Sequence, residues 1–126
     1  MADKLLIVED EKSVSEVLSE FMRKGGYDVE RVSSGQEALE VITKQGFDVV
    51  LLDIKLRDIS GLEVLKRIKE IKPGLIVVMI TGFGMDDDLV ARAKELGCAG
   101  YIGKNLPVPE ILHNFRSFVE AAKKNR

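Results

Sequence analysis

The hydrophobic positions of this chain alternate between two spacings along most of its length. Short runs of neighbouring apolar residues are typical of strands that are buried in a parallel sheet. Each run is followed by a segment with apolar residues at every third or fourth position, which is typical of an amphipathic helix. The runs that predict strands are residues 4–8, 27–32, 47–53, 75–80 and 98–102.

Capping and turn residues predict where the intervening helices begin and end. Ser34 with Glu37, and Ser60 with Glu63, have the spacing of a capping box, which satisfies free N–H groups at a helix start. Glycine or proline follows each of the first four helical patterns and predicts its end. The five helical segments are residues 14–25, 34–46, 60–73, 86–96 and 109–119.

Strands that alternate with helices predict an α/β domain. Its parallel sheet has helices on both faces and right-handed crossovers. The sequence contains no internal repeat or linker, and 126 residues are enough for one hydrophobic core. We therefore predict a single doubly wound domain over residues 1–126, with a basic tail at residues 120–126 that frays.

Composition narrows the range of partners. The net charge of −2 gives no basis for direct binding to nucleic acid or to an anionic membrane surface. No apolar run reaches the roughly 18 to 20 residues that span a bilayer, and the N-terminus lacks the pattern of a secretory signal. One cysteine excludes an internal disulfide and fits a reducing compartment. We expect a cytoplasmic protein.

Polar side chains stand at the carboxyl ends of four predicted strands. They are the pair Glu9-Asp10, then Asp53, Thr81 and Lys104. Ligand sites of open α/β sheets lie at this edge, and clustered carboxylates repel unless a cation joins them. Mg²⁺ prefers such oxygen ligands together with a phosphate. The set therefore predicts phosphoryl transfer, with a carboxylate as the nucleophile and a lysine and a hydroxyl that bind phosphoryl oxygens.

Four short motifs at these strand ends resemble those of a known family, the receiver domains of two-component response regulators. A single motif of this kind is weak, whereas four in this order across residues 4–119 are highly specific. The motifs are Val8-Glu9-Asp10-Glu11, Asp53 followed by Gly61, Ile80-Thr81-Gly82, and Tyr101-Ile102-Gly103-Lys104.

The resemblance implies a fold and a function. The fold is flavodoxin-like, a five-stranded parallel sheet of strand order 2-1-3-4-5 with five helices. The domain would accept a phosphoryl group on Asp53 from a sensor histidine kinase or a phosphotransfer protein, in a Mg²⁺-dependent step. It would not be an enzyme beyond its own phosphorylation and dephosphorylation. Its phosphorylation would control an output protein or effector domain.

Further roles follow from the resemblance, position by position. Asp10 would bind Mg²⁺ directly, Glu9 would help through water, and Asp53 and the backbone carbonyl of Lys55 would complete the protein ligands. Thr81 and Lys104 would bind the phosphoryl oxygens.

The same resemblance implies a conformational switch. Tyr101 would rotate into space that Thr81 vacates, and the face of helix four, strand five and helix five would repack. Dimerisation through that face would depend on phosphorylation. The kinase would be recognised by Val14, Leu18 and residues 105–108.

The chain departs from the family pattern at several positions. Asn105 replaces the proline that usually follows the lysine in a cis peptide, so this peptide is either trans, with Lys104 held differently, or strained. Leu56-Arg57 replaces a common Met-Pro pair. Lys55 and Phe83 occupy positions where the family tunes phosphate loss, and the bulk of Phe83 is predicted to slow it.

Three other functions compete with the receiver interpretation. A receiver-like module that binds partners without phosphorylation is left open by Asn105. An aspartyl-nucleophile phosphatase of the haloacid-dehalogenase type would need an acid where Lys55 stands. A flavodoxin would need a Gly- or Ser-rich phosphate loop, whereas the first turn here, Glu9-Asp10-Glu11-Lys12, is acidic.

Overall fold

The computed structural model describes residues 2–82 and 86–125. Within these ranges, five parallel strands form one sheet in the order β2-β1-β3-β4-β5 and alternate with five helices, which confirms the predicted fold. None of the described helices is long and apolar enough to cross a bilayer. The elements are β1 Lys4–Val8, α1 Lys12–Lys24, β2 Asp28–Val32, α2 Gly35–Lys44, β3 Val49–Asp53, α3 Gly61–Ile71, β4 Ile76–Thr81, α4 Asp87–Glu95, β5 Gly100–Gly103 and α5 Val108–Lys124.

The central strands are buried on both faces because successive side chains point to opposite sides of the sheet. Leu6 and Val50 belong to the core on one face, where α2, α3 and α4 pack. Leu5 and Val49 belong to the core on the other face, where α1 and α5 pack. Every residue of β3 is buried, so its last residue, Asp53, is held in position from both faces.

Several predicted boundaries shift in the structure. Strand β3 begins at Val49 rather than at residue 47, and the Asp48 carboxylate accepts a hydrogen bond of 2.7 Å from the Lys4 N–H. Strand β5 begins at Gly100, because the Cys98 N–H still bonds the carbonyl of Ala93 in α4. Short-range apolar runs alone do not reveal these hydrogen bonds.

Helix α5 continues to Lys124, which places most of the tail predicted to fray inside a helix. The ammonium of Lys123 pairs with the Asp3 carboxylate next to β1. That contact joins the segment before β1 to the last turn of α5. The sequence pattern contains no signal for it.

The β3–α3 loop, residues 54–60, passes very close to the end of β3. The Gly61 N–H donates a 2.7 Å hydrogen bond to the carbonyl of Ile54. A Cβ atom at Gly61 would lie 2.2 Å from the carbonyl oxygen of Asp53. Only glycine fits this approach, because the obstructing atom belongs to the backbone. Ser60 then caps α3 by accepting from the Leu62 N–H rather than from Glu63.

The same loop supplies a second cap to α2. The Asp58 carboxylate accepts hydrogen bonds from the N–H groups of Gly35, at 3.0 Å, and Gln36, at 2.9 Å. These add to the Ser34 cap, whose hydroxyl accepts from the Glu37 N–H. The hydrogen bonds from Gln36 and Gly35 lower the pKa of Asp58 below its ordinary value. Asp58 thus ties the loop after Asp53 to a neighbouring helix.

We expect Asp58→Ala to lower the free energy of unfolding by about 1 kcal/mol, the usual cost of a lost helix cap. The folded-state pKa of Asp58 is lowered, so its contribution is complete above the ordinary value of 3.8 and is lost as the pH falls below it. Urea unfolding at pH 7 and at acidic pH measures both effects. Asp28→Ala, which removes an exposed carboxylate from β2, is the matched control, and equal losses in the two variants would contradict the prediction.

Candidate functional site

Three carboxylates meet at the carboxyl edge of the sheet. Glu9 and Asp10 follow β1, Asp53 ends the neighbouring strand β3, and Val8 is in register with Leu52. One oxygen from each of the three lies within 4.8 Å of the others. Glu9 and Asp53 are each only 2% exposed. The structure therefore brings together the acidic residues that the sequence predicts.

Lys104, just after β5, extends into this cluster. Its Nζ lies 2.9 Å from Oδ2 of Asp53, 2.5 Å from Oε1 of Glu9 and 3.8 Å from Oε1 of Glu11. Burial alone would lower the pKa of Lys104, but the contacts with Glu9 and Asp53 outweigh burial and raise it. These contacts favour the charged form of Lys104 beside Asp53.

Glu9 is a buried carboxylate whose pKa departs from its ordinary value. Burial raises its pKa to about 7, with a further rise from Asp53, against the opposing contacts with Lys104 and the Glu11 N–H. Its Oε1 lacks a partner with hydrogen-bond geometry among the described residues, although the Lys104 ammonium is close. One lysine does not neutralise the cluster, so a further cation would relieve it. The all-oxygen donor set fits Mg²⁺.

Both carboxylate oxygens of Asp53 have contacts. Oδ1 accepts a 3.1 Å hydrogen bond from the Lys55 N–H, and Oδ2 faces the Lys104 ammonium. These contacts orient the side chain at the edge of the sheet. Lys55 itself is exposed in the loop, and the metal role of its carbonyl stays a prediction.

Thr81 and Tyr101 lie on the neighbouring strands. Thr81 ends β4 and is 4% exposed, and its carbonyl accepts a 2.7 Å hydrogen bond from the Lys104 N–H. Tyr101 is 7% exposed in the core next to α2, α3 and α4. Burial raises the pKa of Tyr101, and the Thr81 side chain opposes that rise. Among the described residues, none forms a hydrogen bond with the buried Tyr101 hydroxyl that meets the distance and angle limits.

The amino-acid sequence matches the profile of a known family. The sequence profile of the response regulator receiver domain matches residues 5–116. The chain belongs to the response regulator receiver family.

Relatives and solved structures agree with this assignment. Sporulation initiation phosphotransferase F of Bacillus subtilis is 36% identical over 111 residues, which are 88% of this chain and 89% of that protein. The polar-differentiation response regulator DivK of Brucella ovis is 32% identical over 121 residues, 94% of this chain and 98% of its own.

Among solved structures, a CheY-like response regulator receiver domain protein from Methanospirillum hungatei superposes with a TM-score of 0.90 at 25% identity, with complete coverage of both chains. NtrX from Brucella abortus superposes with a TM-score of 0.91 at 27% identity. That match covers all of this chain and 28% of the NtrX chain. The receiver fold thus occurs both alone and within a longer chain.

The peptide between Lys104 and Asn105 is trans, as are all described peptide bonds of this receiver. This decides between the two alternatives that the sequence leaves open at Asn105. The trans loop still delivers Lys104 to Asp53, because the Lys104 N–H is anchored on the Thr81 carbonyl.

Sequence reasoning missed two parts of the site. The sequence shows Arg57 only as part of a departure from the family pattern, yet its Nε lies 3.7 Å from Oδ2 of Asp10. Glu11 entered only as part of a motif, yet it faces Lys104. The acidic charge at residues 9–11 is a signal that could have pointed to both cations. Phe83, predicted to slow phosphate loss, lies outside the described residues.

Proposed function

We propose that this receiver accepts a phosphoryl group on Asp53 and works as a phosphorylation-controlled signalling switch. The observation that carries the proposal is the Asp53 carboxylate with the Lys104 ammonium 2.9 Å away and two further carboxylates beside it. A nucleophilic carboxylate, a fixed cation and a set of oxygen ligands for a metal are what phosphoryl transfer to an aspartate needs.

Mg²⁺ would be held by the carboxylates at the ends of β1 and β3. Asp10 would bind it directly, Glu9 through water, and Asp53 and the Lys55 carbonyl would complete the protein ligands. When bound, Mg²⁺ supplies positive charge to the phosphoryl oxygens. One oxygen from each of Glu9, Asp10 and Asp53 lies within 4.8 Å of the others, and a divalent cation held between them would offset their mutual repulsion.

The chain's own groups would carry the transfer. A carboxylate oxygen of Asp53 forms a bond to phosphorus while the bond from phosphorus to the donor breaks, and the donor leaves with that electron pair. The Lys104 ammonium and the Thr81 hydroxyl bind phosphoryl oxygens. Water later cleaves the acyl phosphate and restores the carboxylate. The phosphoryl group would stay on Asp53 until water removes it. The domain would therefore act as a phosphoacceptor rather than as an enzyme that turns over a substrate.

Thr81 and Tyr101 would couple phosphorylation to the surface of α4, β5 and α5. Tyr101 lies in the buried arrangement, with Thr81 influencing its hydroxyl. A phosphoryl group that draws Thr81 toward Asp53 would favour the buried arrangement of Tyr101 over an exposed one. The conformation of the α4–β5–α5 surface, which an output partner would bind, would shift with it.

The phosphodonor would be a sensor histidine kinase or a phosphotransfer protein in the cytoplasm. A groove between α1 and the start of α5, lined by Val14, Val17 and Val108 and reaching Lys104, supports docking beside the site. Val17 is 46% exposed, and Leu18, predicted as a contact, also lines the groove although it is only 2% exposed. The output would be a separate protein or an effector domain, and homodimerisation would follow phosphorylation.

The test is intact mass after incubation with acetyl phosphate and Mg²⁺. We expect the gain of one phosphoryl group, lost again on standing, and no gain when a chelator removes the metal. A gain that survives chelation would contradict the metal site. No gain under any condition would reject the phosphoacceptor function and favour a module that binds partners without phosphorylation.

A further inference from the structure

The β3–α3 loop is anchored on both sides of Arg57. Before it, the Lys55 N–H donates to the Asp53 carboxylate. After it, Asp58 accepts from two N–H groups at the start of α2. These hydrogen bonds hold the backbone at Arg57 near the edge of the acidic cluster.

The side chain of Arg57 contacts Asp10. Its Nε lies 3.7 Å from Oδ2 of Asp10, whose side chain is 13% exposed. Two side chains form ion pairs with the three clustered carboxylates. Lys104 pairs with Glu9 and Asp53, and Arg57 pairs with Asp10. Each acidic residue of the cluster thus has a cation, but Asp10 has one that lies at the surface.

We propose that Arg57 competes with Mg²⁺ for Asp10 and so sets the Mg²⁺ concentration at which the site fills. The inference rests on the proposed function, in which Asp10 is the direct metal ligand. A positive charge a few ångströms from a divalent cation opposes its binding. Arg57 must also give up Asp10 when the metal arrives.

Arg57 has little to do with the stability of the fold. Its side chain is 84% exposed, and exposed ion pairs contribute little to stability. A structural role would move the urea midpoint, whereas competition for Asp10 moves the Mg²⁺ affinity alone. The two roles are therefore separable by measurement.

The experiment is a titration of the whole protein with MgCl₂ at constant ionic strength, followed by amide chemical shifts and without any phosphodonor. We expect Arg57→Ala to bind Mg²⁺ about threefold to tenfold more tightly than the parent at about 0.05 M salt. Arg57→Lys should stay near the parent, and Arg57→Glu should bind more tightly than Arg57→Ala. The urea midpoints should be unchanged.

Arg67→Ala is the matched control, because it removes the same charge from an exposed arginine that pairs with Glu63 within α3. It should leave the affinity at the parent value. At about 1 M salt, where the Debye length is about 3 Å, the advantage of Arg57→Ala should shrink.

Equal or weaker Mg²⁺ binding by Arg57→Ala would overturn the inference, and so would an advantage that is undiminished at high salt. Both outcomes leave the proposed function intact, because the parent still binds the metal. A parent that binds no Mg²⁺ would overturn the metal site of the proposed function itself, and the competition with it.

Discussion

Asp53→Asn should abolish the mass gain with acetyl phosphate and Mg²⁺, reducing it to background. The amide nitrogen and oxygen of asparagine cannot attack phosphorus as a carboxylate does. The substitution keeps the size of the side chain and an acceptor oxygen for the Lys55 N–H, which in the parent bonds Oδ1 at 3.1 Å. The fold should therefore survive, and circular dichroism with urea unfolding checks that it does.

Asp48→Asn is the matched control for this variant. Asp48 directly precedes β3, at the end of the strand opposite to Asp53. Its carboxylate accepts a hydrogen bond from the Lys4 N–H. We expect it to be phosphorylated like the parent. Phosphorylation of Asp53→Asn at the parental level would place the acceptor elsewhere and reject the assignment of Asp53.

Gly61→Ala should lower the free energy of unfolding by on the order of 3 kcal/mol, at the upper end of the usual cost of overpacking. Its Cβ would stand 2.2 Å from the carbonyl oxygen of Asp53 and 2.7 Å from the Cα of Ile54. Both are backbone atoms, so no side-chain rotation relieves the clash. The loop must move, which strains the 2.7 Å hydrogen bond from the Gly61 N–H to Ile54. Urea unfolding measures the loss.

Gly46→Ala controls for the general effect of replacing glycine. No atom lies within 4 Å of a Cβ built at Gly46, and neither glycine is among those with positive φ. We expect a change near zero there, or a small gain from the reduced freedom of the unfolded chain. Similar midpoints for the two variants would show that the loop yields easily and that the close approach at Gly61 is unimportant.

The sequence by itself determined the architecture and the convergence of polar side chains at one edge of the sheet. Runs such as Val49–Asp53 are buried because both faces of a parallel sheet are covered, and such apolar runs can be recognised directly in the sequence. Strands that all run the same way bring their carboxyl ends to one edge. The convergence of Glu9, Asp53 and Lys104 could therefore be predicted without coordinates, and the structure places them together.

Only the tertiary structure decided the contacts that depend on side-chain reach. Asp58 caps α2 from 22 and 23 residues away, and Arg57 meets Asp10 across the loop. It also decided that Leu18 is core while Val17 is exposed. Periodicity specifies which face of an element is apolar, but not how far a loop side chain extends or which helix end lies beside it. Those distances follow from packing, because residues remote in sequence become neighbours only when the layers close.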